Sequence, residues 1–245
     1  MSDCWARANW PLPDNIVAGY TLRNGGVSRG PFRSLNIAAH VGDDPEAVAA
    51  NRHRFAEACQ LPGEPLWLNQ VHGTTVVRGG RCGEDADAIV STAANEVCVV
   101  QTADCLPILL VTADGSGVAA AHAGWRGLAD GVLESSVAAL DAAAGSILAW
   151  IGPAISQEAF EVGEEVRARF VAADERAASC FAGNPAGRWQ ADLCGLARQR
   201  LEALGVSQIA TEGRCTFNEP DAFFSYRRDG ECGRMASFIY RREVS

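Results

Sequence analysis

Lysine is absent from this chain; every one of its basic residues is arginine. That excludes a lysine Schiff base and the phosphate-gripping lysine of a P-loop. Histidine is scarce, with His40, His53, His72 and His122 only. No apolar run approaches the ~18 residues that a membrane span takes, and the opening MSDCWARANWPLPDN has no apolar core of the kind a secretory leader needs. The expectation is a cytoplasmic protein, with its nine cysteines reduced. No C-x-x-C pair occurs, which removes ribbon-type zinc and thioredoxin-like readings. Positive charge is also short. A net charge of −9 argues against nucleic acid or an anionic membrane as partner.

The 245 residues make one large domain or two small ones. Strands are expected at 16–23, 65–68, 74–78, 87–91, 97–101, 147–151, 207–210 and 236–240. Helices are expected at about 44–59, 128–144, 163–171 and 192–204. Asp43 or Asp44 caps the first helix, with Pro45 at its first position. Leu128, Val132, Ser136 and Leu140 give the second a buried stripe. Residues 173–188 read as a polar loop. No internal repeat or long low-complexity linker interrupts the pattern. Strands outnumber helices and neighbours look antiparallel, so the class is α+β, antiparallel sheets with helices outside.

Residues 101–127, QTADCLPILLVTADGSGVAAAHAGWRG, carry the chemistry. Two apolar runs flank a turn at 113–117, the grammar of a β-hairpin. The midpoint of Cys105 and His122 falls beside that turn, so the hairpin brings thiol and imidazole to one end. A one-residue slip would part them, because side chains alternate between faces. His72 lies in another strand connection, within Asn69-Gln70-Val71-His72-Gly73. His53 sits between two arginines on the first helix, and His40 at the edge of a polar loop. His72, Cys105 and His122 together make a His₂Cys set, suited to a catalytic zinc with an open position. The same set is that of blue copper, although four histidines cannot furnish a multicopper array. Cys105 is alternatively a nucleophile activated by His122, with Asp104 and Gln101 near, which leaves His72 without a role. The zinc-deaminase signature, H-x-E with P-C-x-x-C, is absent.

Six motifs go further: GGVS, GPF and SLN within 21–36, NQVHG at 69–73, TADCLP at 102–107, AHAGWRG at 121–127, IGPAI at 151–155, and CT…FFSYRRD…GR at 215–234. In this order they resemble the YfiH family, also called the laccase-domain, polyphenol-oxidase or peptidoglycan-editing-factor family. The resemblance spans nearly the whole chain. It implies one catalytic domain over 1–245 with a four-layer α/β/β/α fold. It implies zinc on His72, Cys105 and His122, with copper possible at the same site. It implies phosphorolysis of adenosine, inosine or methylthioadenosine to the base and pentose 1-phosphate, and adenosine deamination. A cysteine amidase acting on peptidoglycan precursors and a copper-loaded polyphenol oxidase are the alternatives.

On that footing Cys105, His122 and Asp104 are candidate catalytic residues, Asp104 being the acid nearest the site in sequence. Arg126 is the first candidate for phosphate, at a helix start whose dipole favours an anion. Arg23, Arg227 and Gln70 are further candidates for substrate. Phe223, Phe224 and Trp125 are aromatics on which a base could stack. Nucleoside and phosphate are the expected partners, and the expected state is a monomer or weak homo-oligomer.

Overall fold

Strand β6 (Leu106–Thr112) is buried at every position, because its two faces meet different cores. Ile108 and Leu110 face one way, with Ala119 and Ala121 of β7 (Val118–Ala123) and Ala149 and Ile151 of β8 (Ile147–Ile151). Leu109 and Val111 face the other way, with Val118, Ala120, Leu148 and Trp150. The period-two alternation of a strand divides them. The computed structural model describes residues 4–79 and 82–243.

These strands form the centre of a six-stranded sheet, in the order β12-β8-β6-β7-β4-β3. Its remaining members are β12 (Gln208–Thr211), β4 (Ala88–Ser91) and β3 (Val76–Arg78). A second sheet joins β1 (Trp5–Arg7), β2 (Ile16–Thr21), β13 (Met235–Arg241) and β5 (Cys98–Thr102) in the order β1-β2-β13-β5. Its Ile16, Ala18, Tyr20, Val100 and Ile239 share a core with Leu109 and Trp150, so the two sheets pack face to face. Phe55 of α1 (Pro45–Ala58) covers its outer face, against Val17, Val99 and Phe238. The outer face of the six-stranded sheet lies under α2 (Trp125–Asp130), α3 (Val132–Ala139), α4 (Glu164–Ala173) and α5 (Leu193–Ala203). Leu128, Val132, Val166 and Leu196 make that contact. The layers run helix, sheet, sheet, helix, and the fold is the expected α+β.

Local detail departs from expectation in four places. The helix expected over 128–144 begins earlier and is broken in two. Gly131, at φ 105°, ends α2 and starts α3, and α3 stops at Ala139. Residues 65–68 form no strand; Leu66 makes a single bridge to Cys98. Residues 173–188 include β10 (Phe181–Gly183), which with β11 (Trp189–Ala191) and β9 (Glu161–Val162) builds a small third sheet. Two strand pairs, β12 with β8 and β3 with β4, are parallel. The first helix is as expected: Asp44 accepts from the Glu46 amide at 2.9 Å, with Pro45 following it.

The β6–β7 pairing sets Leu106 opposite Ala123 and Pro107 opposite His122. Cys105 is therefore displaced by two residues from the directly opposed pairing. An even displacement preserves the face, so thiol and imidazole remain on one side as diagonal neighbours.

The double-sided burial of β6 gives a stability test. Leu109→Ala, at a site with no solvent exposure between the sheets, should lower the unfolding free energy by about 2–5 kcal/mol in urea. A loss well under 1 kcal/mol would contradict the two-core description.

Candidate functional site

Asp87, one residue before β4, is fully buried, and its carboxylate organises the site. It accepts from the consecutive amides of Val71 (3.2 Å), His72 (2.9 Å) and Gly73 (2.6 Å). Successive N–H groups wrapped round an anion form a nest. The wrapping holds His72 at φ 61°, in the left-handed region. The same carboxylate accepts from His122 Nδ1 at 2.8 Å. His122 also donates its backbone N–H to the Asp87 carbonyl, at 2.7 Å. With Nδ1 committed, Nε2 is the nitrogen left for other chemistry. Burial opposes charge on Asp87, but hydrogen bonds from His122 and Gly73 outweigh it and hold its pKa below the usual carboxylate range.

Cys105 lies where the chain leaves β5 in one sheet and enters β6 in the other. Its Sγ is 3.9 Å from His72 Nε2. The His72 and His122 rings meet edge to face, with centroids 4.8 Å apart. One ligand atom from each of His72, Cys105 and His122 lies within 4.8 Å of the others, a group that could hold a metal. Beyond Ala123, the position facing Cys105 is Gly124. A Cβ there would come within 2.7 Å of the His72 ring and 3.1 Å of Sγ. Glycine leaves that space to the ligands. Two imidazoles and a thiol, one imidazole backed by a carboxylate, are a donor set that fits zinc or copper.

The electrostatics agree. Burial alone would raise the Cys105 thiol; the charge and hydrogen bond of His122, and then those of His72, overcome it and bring the pKa well down. Burial alone would lower His122, but the thiolate and Asp87 raise it. Both shifts run in the same sense, toward a thiolate beside an imidazolium when no metal is bound. Burial pushes the thiols of Cys59 and Cys98 upward.

His72, Cys105 and His122 open on a cavity of about 340 Å³. Gln70 lines it, but both ends of its amide are taken by the Gln101 backbone, at 2.8 and 2.7 Å. Asp104, at φ 88°, turns its carboxylate elsewhere, to Thr216 Oγ1 and the Arg227 amide, both at 2.7 Å. Arg23 donates to the carbonyls of Pro220 and Arg33. Arg227 donates to the Glu161 carbonyl. Arg126 is exposed and lies over the Trp125 ring. None of these three arginines lines the cavity. Phe223 and Phe224 are buried in the core between the sheets. The helix beginning beside His122 is only the six residues of α2, too short for a strong dipole.

Other residues line the cavity instead: His40, Gln101, Thr102, Tyr226 and Arg234. Tyr226 is 61% exposed, a large aromatic open to solvent. Gln101 is buried, and its Oε1 has no hydrogen-bond partner. Asp87 had one sequence signal, an acid opening the wholly apolar strand Ala-Ile-Val. Arg234 and Tyr226 lie in the motifs of 215–234, unmarked by local pattern.

Over residues 17–242 the chain matches the family described as multi-copper polyphenol oxidoreductase laccase. Purine nucleoside phosphorylase of Haemophilus influenzae is 48% identical over 236 residues, covering 95% of this chain and 97% of that protein. Purine nucleoside phosphorylase YfiH of Escherichia coli is 49% identical over 234 residues, covering 94% and 96%. The crystal structure of a Neisseria meningitidis protein aligns with a TM-score of 0.94 at 46% identity, over 98% of this chain and 100% of that one.

Two outcomes are expected. In metal-free protein, Cys105 should react with iodoacetamide at pH 7 ahead of the other cysteines. Because its pKa is depressed, thiolate persists as pH falls from 8 and is lost only on passing below that lowered value. His122→Gln should return the rate profile toward the ordinary thiol range, near about 8.5; an unshifted profile would refute the ion pair. Gly124→Ala should weaken metal binding in a chelator competition, and unchanged affinity would show that the space is not needed.

Proposed function

This chain belongs to the multi-copper polyphenol oxidoreductase laccase family, and we propose that within it the chain acts as a purine nucleoside phosphorylase. The substrates would be adenosine, inosine or methylthioadenosine with phosphate, and the products the free base and a pentose 1-phosphate. Relatives 48–49% identical across nearly their whole length bear that name. The observation that carries the reading is the opening of the His72–Cys105–His122 cluster onto a cavity of small-ligand size, about 340 Å³.

In phosphorolysis an oxygen of phosphate bonds to C1′ as the C1′–N9 bond breaks, its electron pair leaving on the purine, which takes up a proton. Zinc held by His72, Cys105 and His122 would supply Lewis acidity toward an oxygen at the reacting centre. Asp87 keeps the His122 ring in one orientation and one tautomer. Tyr226, largely exposed and with the Arg234 guanidinium 5.8 Å from its ring centroid, is the aromatic at the cavity on which the purine would stack. Gln101 lines the same cavity as a further polar side chain within reach of the nucleoside. Adenosine deamination would use the same centre. Asp104, engaged by Thr216 and the Arg227 amide, serves in this reading to hold α6 (Tyr226–Asp229) against the site rather than to donate a proton. Copper would suit the same three donors, so phenol oxidation is expected of copper-loaded protein alone.

A second reading has one specific observation in its favour. Cys105, His122 and Asp87 stand in the order of a nucleophile, base and orienting acid. That is the arrangement of a cysteine amidase, and peptidoglycan precursors would be its substrates. It gives His72 no task.

Metal-stripped and zinc-reconstituted protein, assayed with inosine in the presence and absence of phosphate, separate the readings. Ribose 1-phosphate should form only when both zinc and phosphate are present, and Cys105→Ser and His72→Gln should each abolish it. Base release that ignores phosphate would defeat phosphorolysis. Amide turnover that survives chelation but not Cys105→Ala would move the assignment to the thiol nucleophile.

A further inference from the structure

The chain as a whole is acidic, with 30 acidic residues against 21 basic. The cavity reverses that balance. Arg234 and His40 line it beside the cluster, and no carboxylate does so among the described residues.

Arg234 is held in a way that leaves donors free. Its backbone N–H donates to Asn36 Oδ1 at 2.9 Å. Its Nη1 donates to the carbonyls of Cys232 at 2.8 Å and Gly233 at 3.1 Å. Among the described residues no protein group accepts from Nε or Nη2, and no carboxylate pairs with the guanidinium. A guanidinium pinned by one nitrogen at the wall of a cavity, with its other donors unclaimed, is pre-organised for an oxyanion. His40 adds a ring N–H. Burial, then the charges of Arg234, Arg52 and His122, oppose its protonation. Gln101 stands in the same wall, buried, with its Oε1 unpartnered by protein.

We propose that Arg234, assisted by His40, forms the subsite for the tetrahedral oxyanion, inorganic phosphate, that attacks the nucleoside held beside His72, Cys105 and His122. This assignment rests on the phosphorylase reading for its role in turnover. The binding itself follows from the cavity. Arg23, Arg126 and Arg227 do not compete for the task, since none of them reaches the cavity. Arg234 thereby supplies fixed positive charge where lysine is unavailable.

The test is calorimetric titration of zinc-loaded protein with inorganic phosphate, together with separate KM values for phosphate and inosine. Arg234→Gln should weaken phosphate binding and raise the phosphate KM roughly 10- to 100-fold, the worth of a charge-assisted hydrogen bond or two. The inosine KM should stay unchanged. Arg234→Lys should recover part of the loss, and His40→Gln should act in the same direction with smaller effect. Zinc content and urea midpoint report whether each variant is intact. If Arg234→Gln fails that check, Arg234→Lys and His40→Gln decide in its place. Phosphate binding unchanged in the intact variants, an equal rise in both KM values, or a parent protein that binds no phosphate would each overturn the subsite. A parent that binds phosphate through Arg234 yet forms no ribose 1-phosphate would leave the subsite standing and remove the phosphorylase reading.

Discussion

One buried carboxylate carries the order of the site. Asp87 accepts from three consecutive amides and from His122 Nδ1. Each contact settles something different. The amides fix the path of the loop that carries His72; the imidazole bond fixes the orientation of the His122 ring. A fully buried charge is costly unless hydrogen bonds replace the water it has lost. Here they do, and the compensation doubles as positioning. Two of the three potential metal ligands are therefore placed by the same group, before any metal arrives.

The third ligand is placed by topology. Only Ala103, Asp104 and Cys105 separate β5 of one sheet from β6 of the other. That short crossover confines Cys105, and Asp104 anchors it from the side through Thr216 and the Arg227 amide. Gly124 then clears the ground opposite. The centre is an intersection of a strand end, a crossover and a nested loop, each rigid for its own reason.

What was legible in the sequence follows the range of the forces involved. The hairpin, its turn and the cluster of His72, Cys105 and His122 rest on local alternation and on the scarcity of histidine. The pairing frame came out two residues from the opposed one, because a five-residue connection does not fix its own centre. The break at Gly131 was hidden because the apolar stripe continues across it. Asp87 and Arg234 owe their places to tertiary meetings. A nest from residues 71–73 gives Asp87 its partners, and carbonyls at 232 and 233 fix a guanidinium more than a hundred residues from His122. With 21 arginines and several of them inside motifs, Arg234 among these, local pattern could not rank them; folding turned the favoured Arg23, Arg126 and Arg227 toward backbone carbonyls or solvent.

The crossover at Cys105 has a mechanical consequence. Gln101 and Thr102 belong to one sheet, as does the strand that Arg234 leads into, while His122 belongs to the other. A small molecule seated among them bridges the two sheets at one end, as a cross-tie bridges two beams. The two sheets are held apart by the apolar layer that Leu109 and Trp150 help to fill. Repacking that layer, away from the site itself, would alter the spacing between the two walls, so the interior of the sandwich acts as a gauge of the cavity.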